Sequence, residues 1–137
     1  MFEAIHTERS SATPAAVWAL WEDPGRWPEW NDQLESAELE GGLVAGATAW
    51  VKFKRGGRMR FTVVEVEPER LFLDEAKLPG CRFGHEHRVE PAGAGCEITH
   101  RIYVKGPASP VFSRLLGRKK LRESVTTFIA RERELAE

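Results

Sequence analysis

The chain has 137 residues, of which 42% are hydrophobic and 30% are charged, and its formal net charge at pH 7 is -1. This composition is typical of a globular protein and excludes an intrinsically disordered one, and the length fits one domain. The balanced charge excludes a general attraction to polyanions, so we expect no nucleic-acid partner.

Cysteine content and the N-terminus predict the cellular compartment. Cys81 and Cys96 are too few for a disulfide framework, and we expect small, half-buried thiols. Residues 1–6 lack the basic region and apolar run of a signal peptide. No apolar stretch approaches the roughly 20 residues that a membrane-spanning helix requires. We therefore expect a cytoplasmic protein without a membrane span.

The N-terminal segment predicts one strand followed by two short helical segments. Residues 2–10 alternate loosely between apolar and polar side chains, as a strand does. Thr13 is a suitable N-cap for a helix over 14–22 that has proline at its first position. The Asp-Pro-Gly sequence at 23–25 ends this helix, and a short helical or irregular turn follows over 26–31.

The middle of the chain predicts a meandering antiparallel sheet. Short runs with strand character are separated by Gly-Gly, Pro-Gly and other turn sequences, which favour direct connections between neighbouring strands. The six predicted strands are Leu34–Glu40, Thr48–Lys54, Arg58–Glu67, Leu71–Lys77, Cys81–Glu90 and Gly95–Lys105.

The C-terminal segment predicts a long helix. Pro110 suits an early helical position with Ser109 as N-cap, and apolar residues recur at helical spacing as far as Leu135. Gly117 and the basic residues after it interrupt the apolar stripe, which predicts a bend. Residues 131–137 are mostly charged, and we expect them to fray into solvent.

This order of elements resembles the START-like superfamily, also called SRPBCC or helix-grip proteins, and especially its polyketide cyclase/dehydrase branch. The likeness lies in Thr-Pro-Ala-Ala-Val-Trp at 13–18, Asp-Pro-Gly-Arg-Trp-Pro-Glu-Trp at 23–30, Val-Ala-Gly-Ala-Thr at 44–48 and Val-Glu-Val-Glu-Pro at 64–68. The resemblance implies an α+β helix-grip fold, with a curved antiparallel sheet of about seven strands around a long C-terminal helix and two short helices after strand 1. It also implies a single START-like domain over 1–137 with an internal cavity, but no catalytic motif and no cofactor.

Three histidines are expected on the inner face of the last hairpin. On the sixth strand His85 and His87 alternate with polar residues, and on the seventh His100 shares a face with large apolar residues. If Val89 lies opposite Ile98, then His87 lies opposite His100. Imidazoles in a cavity can orient a ligand or transfer a proton near neutral pH.

Two other interpretations of these histidines stay open. Neighbours such as Glu75 or Tyr103 could satisfy their hydrogen bonds, or the inward face could be the opposite one. Three histidines are a possible zinc ligand set, but the His85-x-His87 spacing has no further supporting motif, so we expect no metal.

Aromatic residues supply the expected walls of the cavity. Four tryptophans within residues 18–30 suit a planar or polycyclic ligand, although packing of the helices on the sheet would also explain them. The candidate ligand-binding residues are Trp18, Trp27, Trp30, Phe53, Phe61, Phe83, His85, His87, His100, Phe112, Leu116 and Phe128.

Basic residues concentrate in two segments, 52–60 and 114–122. Solvated faces explain both segments, and a docking site for an acidic partner is the alternative. Trp50 is out of phase with the inward residues of its strand. It could be exposed or could contact a second subunit, which makes a homodimer possible.

The sequence therefore predicts a module that carries or sequesters a hydrophobic small molecule, aromatic or polyketide-like in character. One alternative is a cyclase, aromatase or dehydratase that uses cavity histidines, or Arg101, for proton transfer or carbonyl polarisation. Another is an interaction or regulatory domain that uses the basic hairpin and Trp50. The chain has no glycine-rich phosphate loop, nucleophile elbow or zinc-binding repeat.

Overall fold

A computed structural model describes all residues from Met1 to Glu137. The strands are β1 Phe2–Ser10, β2 Leu34–Glu40, β3 Thr48–Phe53, β4 Arg58–Glu67, β5 Leu71–Leu78, β6 Cys81–Ala92 and β7 Gly95–Lys105. The helices are α1 Pro14–Glu22, α2 Trp27–Trp30, α3 Ser109–Leu116 and α4 Arg118–Ala136, and a 3-10 turn at Pro24–Arg26 joins α1 to α2.

The seven strands form one antiparallel sheet in the order β1-β7-β6-β5-β4-β3-β2. Helix α4 packs against β1 and β7, and α1 and α2 contact both α4 and the sheet. The buried apolar residues between the helices and the sheet form one continuous cluster. This is the predicted α+β helix-grip architecture, with two short helices after the first strand.

The β6–β7 hairpin has the predicted register, because Val89 pairs with Ile98 and His87 with His100. Ile98 and His100 are fully buried, and His87 is nearly so. Alternate residues of a strand face the same side, so all three histidines of the hairpin lie on the inner face. The helices on the sheet therefore cover the imidazoles.

Local capping explains where the first helix begins. The Thr13 hydroxyl accepts a hydrogen bond from the backbone N–H of Ala16 at 3.2 Å, which satisfies one of the free donors of the first turn of α1.

The indole groups of the tryptophans in α2 hold this short helix in place. Trp27 donates its N–H to the Trp21 carbonyl at 2.8 Å, and Trp30 donates to the Leu20 carbonyl at 3.4 Å. These bonds fix α2 against α1.

The C-terminal helical region is divided at Gly117, where a bend was predicted. Gly117 has φ of +90°, a backbone conformation that side chains disfavour, and it separates α3 from α4. The prediction of Ser109 as N-cap was wrong: Ser109 is the first helical residue, and Ala108 precedes it as N-cap without a side-chain bond. None of the helices is long and apolar enough to cross a membrane.

The predicted fraying of residues 131–137 was also wrong, because α4 continues to Ala136. Glu132 is completely buried. The Ser10 hydroxyl donates to Glu137 at 2.8 Å, and Arg133 forms an ion pair with Glu8 at 3.4 Å. The charged side chains thus attach the end of the helix to β1.

On the outer face of the sheet, a glycine allows one tyrosine to cross a neighbouring strand. Tyr103 on β7 pairs with Gly84 on β6, which pairs with Glu75 on β5. A Cβ at Gly84 would lie 2.1 Å from the Tyr103 ring, so only glycine leaves room for the ring, and the Tyr103 hydroxyl reaches and donates to Glu75. Burial opposes ionisation of Glu75, but bonds from Tyr103 and Arg82 and the charge of Lys105 outweigh it and lower its pKa. Glu75 and Tyr103 therefore satisfy each other's hydrogen bonds, and neither of them bonds to the histidines.

Candidate functional site

A small internal cavity lies between the inner face of the sheet, α2 and α4. Its volume is about 60 Å³, which gives room for about two water molecules. Ten of its sixteen lining residues are hydrophobic, and polar groups come from both strands and helices. The lining residues are Trp27, Trp30, Asn31, Gln33, Leu34, Val51, Phe53, Phe61, Asp74, Phe83, His85, His87, Ile102, Leu121, Ser124 and Phe128.

Eight of the twelve residues proposed from the sequence line this cavity, and four do not. Trp18 is buried among aromatic rings, with its own ring centroid 5.9 Å from that of Trp21. Phe112 and Leu116 lie on α3, which Gly117 separates from the cavity-lining helix, and they pack only partly buried against the core. His100 is the fourth residue: it does not line the cavity itself but bonds to His85, which does.

A hydrogen-bonded series connects α4 to the cavity through His100. The Glu132 carboxylate accepts a bond from His100 Nε2 at 2.6 Å and another from the indole N–H of Trp21 at 2.5 Å. Because Nε2 of His100 donates, its Nδ1 has a free lone pair, which accepts a bond from Nε2 of His85 at 2.7 Å. His85 lines the cavity, so the series ends there.

His87 is held by a different partner. Its Nδ1 donates to the backbone carbonyl of Phe72 at 3.2 Å. The imidazole of His87 also stacks on the side-chain ring of Phe72, with centroids 3.6 Å apart and an interplanar angle of 10°. The bond fixes the tautomer of His87 and leaves a lone pair on Nε2.

Enclosure keeps two of these imidazoles neutral. Desolvation lowers the pKa of His85 well below its ordinary value, and the nearby His100 lowers it further. Desolvation likewise lowers the pKa of His87, with further contributions from His85 and His100. Both rings are therefore hydrogen-bond acceptors as well as donors at neutral pH.

Asp74 is an acidic group on the same inner face. It pairs directly with His85 across the strands and lines the cavity. Burial raises the pKa of Asp74 to about 8, and the charge of Glu75 adds to the effect. Oδ1 of Asp74 has no hydrogen-bond partner in the protein. A buried polar atom without a partner is uncommon and indicates a place where a ligand or solvent group can bind.

Gln33 and Ser124 close the cavity on its outer side. The side-chain amide of Gln33 donates to the Ser124 hydroxyl at 2.5 Å, and that hydroxyl donates to the Lys120 carbonyl at 2.7 Å. Gln33, Ser124 and Phe53 also line a second, more open space of about 300 Å³. We call this space the vestibule; its remaining lining residues are Asp32, Lys54, Arg55, Lys120, Glu123 and Thr127.

The vestibule brings the two basic segments of the sequence together. Lys54 and Arg55 come from the β3–β4 hairpin, and Lys120 comes from the start of α4. Trp50, on the same hairpin, is half-buried, and the guanidinium of Arg58 lies 4.8 Å from its ring centre. A cation–π contact within the chain thus covers part of Trp50.

Sequence reasoning missed Glu132, Asp74, Gln33 and Ser124. For two of these residues, Glu132 and Asp74, the periodicity of the sequence indicates a buried position. Glu132 follows Phe128 by four positions and therefore lies on the buried stripe of α4. Asp74 alternates with Phe72 on the inward face of β5. Gln33 and Ser124 are far apart in sequence, and no local pattern predicts their contact.

Fold and cavity together define a helix-grip protein of the START-like type, in which a curved sheet and a C-terminal helix enclose an internal site. The family model described as polyketide cyclase/dehydrase and lipid transport matches residues 1–137. The chain belongs to this family, as the resemblance in its sequence implied. No curated protein matches the sequence.

Solved structures share the fold at low sequence identity. A protein from Mesorhizobium loti has a TM-score of 0.77 and 16% identity, with 97% of this chain and 95% of that chain covered. Truncated norcoclaurine synthase from Thalictrum flavum has a TM-score of 0.72 and 16% identity, with 97% and 91% covered. A protein from Thermus thermophilus has a TM-score of 0.72 and 18% identity, with 98% and 96% covered. At these identities the likeness concerns the fold alone.

Proposed function

We propose that the chain binds a hydrophobic small molecule whose apolar end enters the cavity while a polar or anionic end remains in the vestibule. The supporting observation is the pairing of the two spaces across Gln33 and Ser124. The inner space is walled by aromatic rings such as Phe61 and Phe83, and the outer one carries the cations Lys54, Arg55 and Lys120. A single ligand with an apolar end and an anionic end can therefore occupy both spaces.

The size of the inner cavity requires that this boundary opens. Ligand sites usually enclose about 300–1,000 Å³, far more than the inner 60 Å³. The vestibule alone, at about 300 Å³, reaches the lower end of that range. Breaking the single bond between Gln33 and Ser124 joins the two spaces without unpairing a strand. His85 and Asp74 would then orient the inner end of the ligand.

Binding is tested with naphthol and naphthoate, two flat compounds that share the naphthalene ring system and differ in charge. We expect saturable quenching of tryptophan fluorescence at micromolar levels, because Trp27 and Trp30 line the cavity. Naphthoate should bind more tightly. Lys120→Ala should weaken naphthoate binding about 2- to 5-fold, as expected for loss of an exposed charge pair, and leave naphthol binding unchanged. Lys77→Ala is the matched control, because Lys77 is exposed on β5 and lines neither the cavity nor the vestibule.

The absence of saturable quenching by either compound would contradict binding in the cavity. Equal affinities for naphthol and naphthoate would contradict the anionic end while leaving hydrophobic binding intact. An equal loss of naphthoate affinity in Lys77→Ala would show general surface attraction to anions.

A second candidate function, proton transfer of the cyclase or dehydratase type, is supported by the series Glu132–His100–His85. In this arrangement Nε2 of His85 is the donor to His100, so Nδ1 carries the free lone pair. Nδ1 could take a proton from a carbon next to a carbonyl group and leave an enolate, and Glu132 would hold the imidazole of His100 behind it.

The test of this candidate is deuterium exchange into cyclohexanone in heavy water, followed by proton NMR. The wild type should accelerate exchange, and His85→Asn should reduce the acceleration about 100-fold or more, in line with general-base contributions. Naphthoate binding by His85→Asn should weaken by less than about 10-fold, as expected for the loss of one hydrogen bond while the aromatic walls remain. Exchange that is absent in the wild type, or unchanged in the variant, would exclude His85 as the base for this ketone and favour a carrier.

A further inference from the structure

We propose that His85, His87 and His100 bind a divalent transition-metal ion, Zn²⁺ in particular, at the inner end of the cavity. One ring nitrogen from each histidine can be chosen so that all three lie within 4.8 Å of one another. Two of the residues alternate on β6 and the third lies on the adjacent strand β7. The site goes beyond the proposed function and contradicts the expectation from sequence that no metal binds.

A tetrahedral ion requires a definite spacing of the three nitrogens. Zinc–nitrogen bonds of 2.0–2.1 Å place two ligand atoms about 3.3 Å apart in a tetrahedral site. His85 Nε2 and His100 Nδ1 are now 2.7 Å apart, because a proton lies between them. The three nitrogens lie within 4.8 Å of one another, and the rings of His85 and His87 are stacked with centroids 3.8 Å apart, so ion binding requires these rings to turn until their lone pairs converge.

The outer partners of His100 and His87 fit metal ligation. A ligating histidine almost always donates its other ring N–H to a carboxylate or a backbone carbonyl. His100 donates Nε2–H to Glu132 at 2.6 Å, and His87 donates Nδ1–H to the Phe72 carbonyl at 3.2 Å. Each bond leaves the remaining nitrogen free to bind an ion. Trp21 in turn holds Glu132 in place.

His85 would complete the set with a change of tautomer. Ligation through Nε2 requires its proton to move to Nδ1, where the N–H needs an acceptor. Asp74 lies directly opposite His85, is 95% buried and has an oxygen, Oδ1, without a partner. Asp74 Oδ1 is thus an acceptor without a partner on the same inner face as this N–H. His85 can therefore bind an ion through Nε2, with its proton on Nδ1, or accept a proton at Nδ1, but it cannot do both at once.

Three histidines with an open fourth position are the ligand set of catalytic zinc in carbonic anhydrase. Here the fourth position would face the cavity, whose volume of about 60 Å³ admits a water molecule or the carbonyl oxygen of a ligand. Imidazole ligands suit zinc, copper, nickel and iron. A bound ion would polarise a carbonyl group there.

The experiment uses Co²⁺ as a spectroscopic substitute for Zn²⁺ on chelator-washed full-length protein. One equivalent of Co²⁺ should produce the visible absorption bands of tetrahedral cobalt, and Zn²⁺ should abolish them. Native mass spectrometry should show one Zn²⁺ per chain, and Zn²⁺ should raise the melting temperature. His85→Asn should weaken binding at least 100-fold, and Glu132→Gln should weaken it by about 10- to 100-fold through loss of the outer partner.

His6→Asn is the matched control, because His6 is the remaining histidine and lies on β1, away from the cavity lining. It should retain full cobalt absorption and zinc stoichiometry. The proposal is overturned if the wild type binds no stoichiometric ion at neutral pH, or if His6→Asn abolishes binding and His85→Asn does not. Circular dichroism of each metal-free variant shows that it is folded. The naphthoate experiment contains no metal ion, so either proposal can fail alone.

Discussion

Replacing Glu132 with alanine is expected to lower the free energy of unfolding by about 3–5 kcal/mol, because each buried donor left without a partner costs about 1–3 kcal/mol. The carboxylate is fully buried and accepts bonds from both His100 and Trp21, so its removal leaves two buried donors without partners. Urea unfolding followed by tryptophan fluorescence measures the loss. Glu132→Gln should cost less, because its amide oxygen can still accept one of the two bonds.

The control for this prediction lies two residues further along the same helix. Glu134 is exposed, with 71% of its side chain accessible, and its only ion pair is with Arg131 on the same helix. Glu134→Ala should therefore change stability by less than about 1 kcal/mol. A loss of similar size in both variants would contradict the role assigned to the buried hydrogen bonds, because alanine has the higher helix propensity and that difference cannot cause a loss at either position.

The second large effect is expected at Phe72. This ring is completely buried, stacks on His87 and lies parallel to Trp27 with centroids 5.9 Å apart. Phe72→Ala should lower the free energy of unfolding by about 3–5 kcal/mol, because it removes apolar contacts and leaves a cavity that the rigid sheet cannot close. Calorimetric or denaturant unfolding measures this loss.

Phe53→Ala provides the comparison, because it is the same chemical change at a half-buried position on the boundary between cavity and vestibule. Its cost should be clearly smaller, since solvent already contacts part of the ring. Equal losses in the two variants would contradict the prediction, because they would mean that complete burial of Phe72 adds nothing to the contribution of a half-buried ring.

The sheet and its inner face could be predicted from the sequence because they follow local rules. Alternation along β6 and β7 indicates which residues share a face, and the Val89–Ile98 pairing then determines that His87 lies opposite His100. Strand ends differ from the prediction by a few residues: β6, for example, continues through Pro91 to Ala92. Turn geometry, which the sequence specifies less tightly, determines those limits.

The parts of the site that could not be predicted depend on contacts between distant segments. Charge alone suggests that the end of α4 is solvated, and only the folded structure shows that His100 and Trp21 provide donors for Glu132. The closure of the cavity by Gln33 and Ser124 likewise joins a loop before β2 to a helix 91 positions away. Such pairs leave no periodic pattern, so their discovery requires three-dimensional coordinates.

The crossing of Tyr103 over Gly84 also constrains how this sequence can change during evolution. A side chain at position 84 would collide with the ring at 103, whereas loss of the ring would leave Glu75 beside two cations, Arg82 and Lys105, but without its hydroxyl donor. Neither position can drift alone. Related chains that have lost the glycine should also have lost the tyrosine, and the acidic residue at 75 should then be free to vary with them.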